Sequence, residues 1–365
     1  MTVQSPVQPG PAIERRAGNT SPTTNLTYVV PLRRTAVDAD DDLTSYLRHL
    51  ATLVEVVVAD GSPPDVYAVN GRLWGTSVRQ LPVTSFCLNG KVAGVVDGVH
   101  AATHPHVVIA DDDVRYDEEA LSTMARLLTE HAVVRPQNYF SPLPWHARWD
   151  SARTLLNRAL GHDYPGTLGV HRAAFRSTAG YCGAVLFENL ELIRTLRAHG
   201  FSVHNADDVF VRRRPPDARH FFGQRIRQAY DSRAQPLRWL AELALLPAAG
   251  WALKKQHARA LSAGMAASVA AAEVGRRRHG GSTVFAATLP LWAPLWLAER
   301  ALCAWLAVGA GVRGGAGFAG RRLRRAAHTQ RQLCAPGCPE SDCTCRTVWR
   351  HGRPLGAFPW DGSNG

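Results

Sequence analysis

The 365-residue chain is poor in cysteine. Its seven cysteines are too few for a disulfide scaffold at this length, and four of them, Cys334, Cys338, Cys343 and Cys345, fall within one short stretch near the C-terminus. Lysine is nearly absent from the basic runs, and the aromatics beside those runs are tryptophans set among leucine and alanine. That combination excludes the usual signatures of RNA and DNA binding, and no nucleic-acid partner is expected. The first 25 residues lack an apolar segment, so they are expected to form a polar tail and the protein to remain in the cytoplasm. No internal repeat is present, which excludes solenoid and propeller architectures.

What is present is unevenly distributed. Hydrophobic residues make up 45% of the chain and charged residues 20%, enough for a packed core. The formal charge of +12 is split: residues 1–211 hold 18 basic and 22 acidic side chains, residues 212–365 hold 24 and 8. A C-terminal part this basic, rich in Trp and Leu, fits an anionic membrane surface. Within it, residues 237–253 and 284–312 are apolar. The second is long enough to span a bilayer, but Pro290, Pro294, Glu299 and Arg300 interrupt it, so a helix or hairpin lying on the surface is expected rather than a span, the alternative being helices that pack on the catalytic domain.

The N-terminal part alternates strand and helix. Residues 27–32 form a β-branched run, residues 43–54 have helical spacing behind Asp42, and residues 54–59 form a second strand ending at Asp60. A helix over 91–102 leads to the buried strand Val107-Val108-Ile109-Ala110, which runs into Asp111-Asp112-Asp113. An acid-started helix follows, with Leu121, Met124, Leu127 and Leu128 on one face, and strands are expected at 132–139 and 167–171. The order predicts an α/β fold with a mainly parallel Rossmann-type sheet flanked by helices. Ligands in such sheets bind at the carboxyl ends of the strands, where Asp60 and the aspartate cluster fall. Trp145, His146, Trp149 and Asp150 are expected in a proline-containing loop.

Three consecutive aspartates at a strand end repel one another unless a cation neutralises them. Mg2+ or Mn2+ held by Asp111 and Asp113, bridging to a diphosphate, meets that requirement.

These elements resemble the inverting family 2 glycosyltransferases of bacterial, membrane-associated type, over residues 27–230. VVVADGS resembles the family's nucleotide-binding edge, with Asp60; LNGKVAG resembles its Asn-x-Gly-Lys segment, with Asn89 and Lys91; IADDD resembles its D-x-D element. FENLELIRTLRAHGF resembles the Glu-Asp helix start, and GQRIRQAYD the Gln-x-x-Arg-Trp element, with Gln224, Arg225 and Arg227. Two departures stand out. The Glu-Asp pair is here Glu188-Asn189, and the tryptophan of the last element is missing. The resemblance implies a type A glycosyltransferase fold, a nucleotide-diphospho-sugar donor bound by Asp60, Asn89, Lys91, Asp111, Gln224, Arg225 and Arg227, and a divalent metal at Asp111 and Asp113. Glu188 is the expected base, with Glu191 one turn on and facing the same side.

The expected organisation is a tail over 1–25, a catalytic domain over 26–235, a helical, basic, Trp-rich membrane-associating region over 236–328 and a cysteine-bearing tail over 329–365. The four tail cysteines are candidate zinc ligands, although their spacing lacks the usual two-residue gap. The expected activity is metal-dependent transfer of a sugar, with inversion, to an acceptor that is a glycan or lipid-linked, at the inner face of the cell membrane. Two alternatives are a nucleotidyltransferase, which would normally carry a glycine-rich basic loop after the first strand where this chain has PLRRTAVDADDD, and a non-catalytic protein that binds nucleotide-sugar or membrane.

Overall fold

The computed structural model describes residues 25–37 and 42–333. The tail cysteines, nearly all of the expected N-terminal tail and most of the C-terminal one lie outside the described residues.

Eight strands form one sheet: β1 (Leu26–Leu32), β2 (Glu55–Asp60), β3 (Arg79–Pro82), β4 (His106–Ala110), β5 (Val114–Arg115), β6 (Val133–Phe140), β7 (Thr167–His171) and β8 (Val203–Arg213), in the order 3-2-1-4-7-6-8-5. Strands β1 to β4, β6 and β8 run one way, while β7 and β5 run against them. The sheet is mixed α/β and mostly parallel, as expected. The reversal of β7 matters because its first residue, Thr167, pairs with Ala110 at the carboxyl end of β4. The loop entering β7 therefore lies over the end of the parallel strands.

The pleat sends alternate residues to opposite faces. Tyr28 and Val30 join Leu43, Leu47, Leu121, Met124 and Leu128 in one buried cluster, while Val29 joins Val92, Val95, Val99, Leu192 and Leu196 in another. The first cluster is made with helices α1 (Asp42–Leu50) and α4 (Glu118–Glu130), beyond α2 (Pro64–Trp74) and α3 (Gly90–Ala101) in chain order. The second cluster is made by α3 and α7 (Glu188–Ala198), which follows α5 (Trp145–Leu160) and α6 (Arg172–Ser177). Helix α3 packs close because Gly98 has no side chain: a Cβ there would stand 2.4 Å from Val29 Cγ1.

Helix α5 corrects the expectation of a loop around Trp145. Pro144 stands at the N-cap in an extended conformation, where its missing N–H costs no helical hydrogen bond, and residues 145–160 continue as a helix. Trp145, Trp149, Phe221 and Phe222 then form an aromatic cluster with α8 (Ala218–Asp231).

The C-terminal helices are α9 (Pro236–Lys254), α10 (Ala258–Arg277) and α11 (Ala293–Val312), followed by the hairpin β9 (Ala316–Phe318) and β10 (Arg321–Leu323) and a short helix α12 (Gln330–Leu333). Leu289–Val312 is long and apolar enough to cross a membrane by length and composition, yet its charged pair faces inward: Glu299 lies 3.6 Å from Arg225, and Arg300 is 1% exposed beside Trp296. Leu291, Leu295, Leu302, Trp305 and Leu306 are exposed on the same segment, as are Leu237, Leu240, Leu246, Trp251 and Leu253 on α9.

Candidate functional site

The carboxyl ends of β4 and β8 and the first turns of α3 and α7 bring their polar residues into contact at one rim of the sheet. Asn89 caps α3: its side-chain oxygen accepts from Lys91 N–H at 3.1 Å, while its own Nδ2 donates to Val185 O at 3.1 Å. This fixes Lys91 at the first turn. Its ammonium reaches Asp111 Oδ1 at 2.6 Å and Glu188 Oε1 at 2.5 Å. Burial alone would lower the lysine's pKa, but the two carboxylates hold it well above the ordinary value.

Asp111 and Asp113 follow β4. From the far side of the sheet Arg213, the last residue of β8, donates Nε to both oxygens of Asp113 and places another nitrogen 3.3 Å from Asp111 Oδ2. Asp113 is pushed up to about 6, first by burial and then by Asp111 and Asp112, with Arg213 acting against them. The backbone closes the arrangement. Asp111 N–H donates to Gly166 O at 2.9 Å, Arg214 N–H donates to Asp113 O at 2.8 Å, and Asn138 Oδ1 accepts from Gly166 N–H at 2.7 Å. A Cβ at Gly166 would stand 2.7 Å from Asp111 Oδ2, so the β7 loop approaches the acids only because glycine is there.

Three carboxylates, Asp111, Asp113 and Glu188, thus face two cations, Lys91 and Arg213. The cluster is rich in hard oxygen donors, with three carboxylates against two cations, and Asp113 is raised chiefly by burial with Asp111 and Asp112 adding to it. A divalent cation such as Mg2+ or Mn2+ fits this donor set at Asp111 and Asp113.

Among the described residues, the others expected at the site make no hydrogen bond to this cluster. Asp60 ends β2 but is 2% exposed, and its carboxylate accepts from Asn70 at 2.8 Å, Gln80 at 2.9 Å and Ser62 N–H at 2.9 Å. Glu191, expected to face the same side as Glu188, is fully buried, and both its oxygens are engaged by His328. It is not placed to reach an acceptor. Arg225 is 4% exposed, lies over the Phe221 ring and bonds Asp150 at 3.1 Å; burial would raise Asp150, but Arg153 and Arg225 hold it down to about 2. Arg225 therefore braces α8 against α5. Among the described residues no hydrogen bond joins Gln224, Arg225 or Arg227 to Asp111, Asp113 or Glu188; Arg227 stands over the Phe318 ring instead. Asn189, at the place of the departure, donates to Pro165 O at 2.9 Å and so steadies the loop carrying Gly166.

The structure adds Arg213, Gly166 and Asn138 to the site. Their sequence signal was faint, since each gains meaning only through the register of β6, β7 and β8. At the end of α8, Asp231 is raised to about 8, chiefly by burial and further by Glu188, and its Oδ1 is buried with no hydrogen-bond partner among the described residues.

Residues 81–140 match the model of glycosyl transferase family 21, a span that contains Asn89, Lys91, Asp111 and Asp113 but neither Glu188 nor Arg213. The motifs resemble family 2, whereas the matching glycosyl transferase model is that of family 21. No curated protein matches the chain in sequence. Among solved structures the chain is similar to the mannosyltransferase PcManGT from Pyrobaculum calidifontis in complex with GDP-Man and Mn2+, at 20% identity over 78% of this chain and 88% of that one, with a TM-score of 0.47. It is also similar to glucosyl-3-phosphoglycerate synthase from Mycobacterium tuberculosis in complex with phosphoglyceric acid, at 17% identity over 55% and 75%, with a TM-score of 0.38.

Proposed function

We propose that the protein is a glycosyltransferase that moves a sugar from a nucleotide-diphospho-sugar to an acceptor hydroxyl with inversion, using a divalent metal. One observation carries this reading: Lys91, Asp111, Asp113, Glu188 and Arg213 converge at the carboxyl end of the sheet, inside and beside a segment that matches a glycosyltransferase family model.

Inverting transfer needs a base on one side of the anomeric carbon and positive charge at the leaving diphosphate on the other. Glu188 is the base. It takes the acceptor's proton as the hydroxyl oxygen bonds to the anomeric carbon and the bond to the diphosphate breaks, and its contact with Lys91 fixes where it stands. Arg213, in contact with Asp111 and Asp113, stands ready to donate to the diphosphate oxygens, while Lys91 links Glu188 to Asp111. Asp111 and Asp113 would hold the metal, which supplies further charge to the leaving group when bound.

The acceptor is lipid-linked in this reading, and the protein works at the inner face of the cell membrane. Support comes from the exposed Leu and Trp side chains of α9 and α11, with Lys254, Lys255 and Arg259 exposed beside them. An apolar helical face flanked by cations suits an anionic surface. In this reading α11 lies along the bilayer, with Glu299 and Arg300 turned to the protein and Leu291, Leu295, Leu302, Trp305 and Leu306 exposed.

The deciding experiment incubates the full chain with Mn2+, a panel of nucleotide sugars and a lipid extract. Free nucleoside diphosphate together with a glycosylated lipid is the expected result. Pyrophosphate release would replace this reading with nucleotidyl transfer, and no turnover with retained nucleotide binding would leave a binding protein.

A further inference from the structure

The chain returns to α7 after the β9–β10 hairpin. Arg325 forms a parallel bridge with Val185, and Leu186 and Phe187 donate backbone N–H groups to Arg325 O (3.0 Å) and Ala326 O (2.8 Å). These are the last residues before Glu188, and α7 has no side-chain cap of its own at Phe187. One helical turn on, His328 donates its backbone N–H to Glu191 Oε2 at 2.7 Å, and its Nδ1 lies 2.7 Å from Glu191 Oε1, with both side chains fully buried. Arg194 then grips the strap from the other side, donating to His328 O at 2.6 Å and to Ala234 O at 2.8 Å.

A buried carboxylate is costly unless its lone pairs are satisfied, and removing its partner exposes that cost. His328 serves both oxygens of Glu191, so the strap and the helix hold one another in a single rotational setting. Glu188 and Glu191 are one turn apart on α7, and a helix locked at the second position has little freedom to turn at the first. We infer that His328, acting through Glu191, is a positioning residue: the strap over residues 324–328 sets where the Glu188 carboxylate stands relative to Lys91 and Asp111. The inference rests on the reading of Glu188 as the base. His328 itself touches none of the reacting groups.

The test uses the full chain and the variants His328→Ala, His328→Asn and Glu191→Gln. A displacement of about 1 Å at a reacting group costs about 100-fold in rate, so His328→Ala and Glu191→Gln are expected to lower kcat by about tenfold or more. Binding of Mn2+ with UDP or GDP, followed by thermal shift, should stay within about twofold, since Asp111, Asp113 and Arg213 are untouched. His328→Asn, whose amide N–H can replace Nδ1, should recover most of kcat.

A second readout needs no activity. Lys91 is held by Glu188, so an amine-labelling reagent should modify it several-fold faster in His328→Ala, with Lys254 and Lys255 unchanged. If the wild type transfers no sugar, the reading of Glu188 fails while this labelling still judges the strap. Unchanged kcat and labelling in His328→Ala would overturn the inference. So would variants that cannot be recovered folded, or that lose nucleotide binding in proportion to activity, because the pair would then be structural. A stoichiometric transition metal in purified protein that His328→Ala removes would also overturn it. Ligand atoms of Cys182, Glu191 and His328 lie within 4.8 Å of one another, and the three would then be a ligand set rather than a clamp.

Discussion

Arg213 meets Asp113 through both carboxylate oxygens, at 2.9 and 3.0 Å, across 100 residues of sequence. The same guanidinium reaches Asp111. Arg213→Met should therefore weaken nucleoside-diphosphate binding and lower turnover by about 100-fold or more, the scale of a lost transition-state donor. Asp113→Asn, alone or with Asp111→Asn, should abolish turnover and make nucleotide binding indifferent to Mn2+, with the fold retained. Isothermal titration with and without the metal checks both.

Gly166 offers a test of geometry without a change of charge. Alanine there would press against Asp111 Oδ2 and the Arg213 guanidinium, so Gly166→Ala should reduce Mn2+ affinity by about tenfold or more while circular dichroism stays unchanged. Wild-type metal affinity in this variant would mean that the β7 loop does not shape the acids.

Glu188→Gln should lower kcat by about 100-fold or more with nucleotide binding retained, as expected for a lost general base. Asn189→Asp tests the departure from the Glu-Asp pattern. A carboxylate at 189 would look attractive from the sequence as a restored base, but Asn189 donates to Pro165 O and an aspartate has no proton to give. The substitution should lower the melting temperature by a few degrees and leave activity no higher.

Asp231 gives a pH signature. Its folded pKa of about 8 lies above the ordinary aspartate value, so the folded state binds the proton more tightly than the unfolded one. Ionisation of Asp231 therefore opposes folding, and the penalty grows as pH rises from about 4 to about 8. Asp231→Asn should flatten that decline, so that the variant gains melting temperature relative to wild type at pH 8 and not at pH 4. Parallel slopes for the two proteins would place Asp231 in solvent.

Vesicle sedimentation tests the apolar helices. Binding should increase with anionic lipid at about 1 kcal/mol per basic residue near the surface, and weaken only in part at high salt because Trp and Leu add a salt-resistant contribution. Trp251→Ser with Trp305→Ser should reduce the salt-resistant fraction. Equal recovery in the supernatant with and without vesicles would leave the face unexplained.

Much of the sheet was legible because its strands carry their own signal. The Val107–Ala110 run ending in three aspartates needs no partner to be recognised, and the helix facing Leu121 and Met124 is set by local spacing. What depended on pairing was not legible. Arg213 looks like one arginine among three until β8 is laid beside β6 in register. Glu191 shares a helical face with Glu188 by count alone, and only the return of the chain at His328 shows that its carboxylate is taken. The loop expected at Trp145 failed for a local reason, since a proline just before a helix breaks none of its hydrogen bonds and so does not exclude one.

The distance in sequence between the acids and Arg213 also has a meaning in time. At about 5–20 residues per second, the ribosome needs about 5–20 s to pass from Asp113 to Arg213. During that interval the aspartates and Lys91 have been synthesised and Arg213 has not, and Glu188 is made before the arginine. The cluster's charge balance is therefore completed only when the last long strand of the sheet has been made.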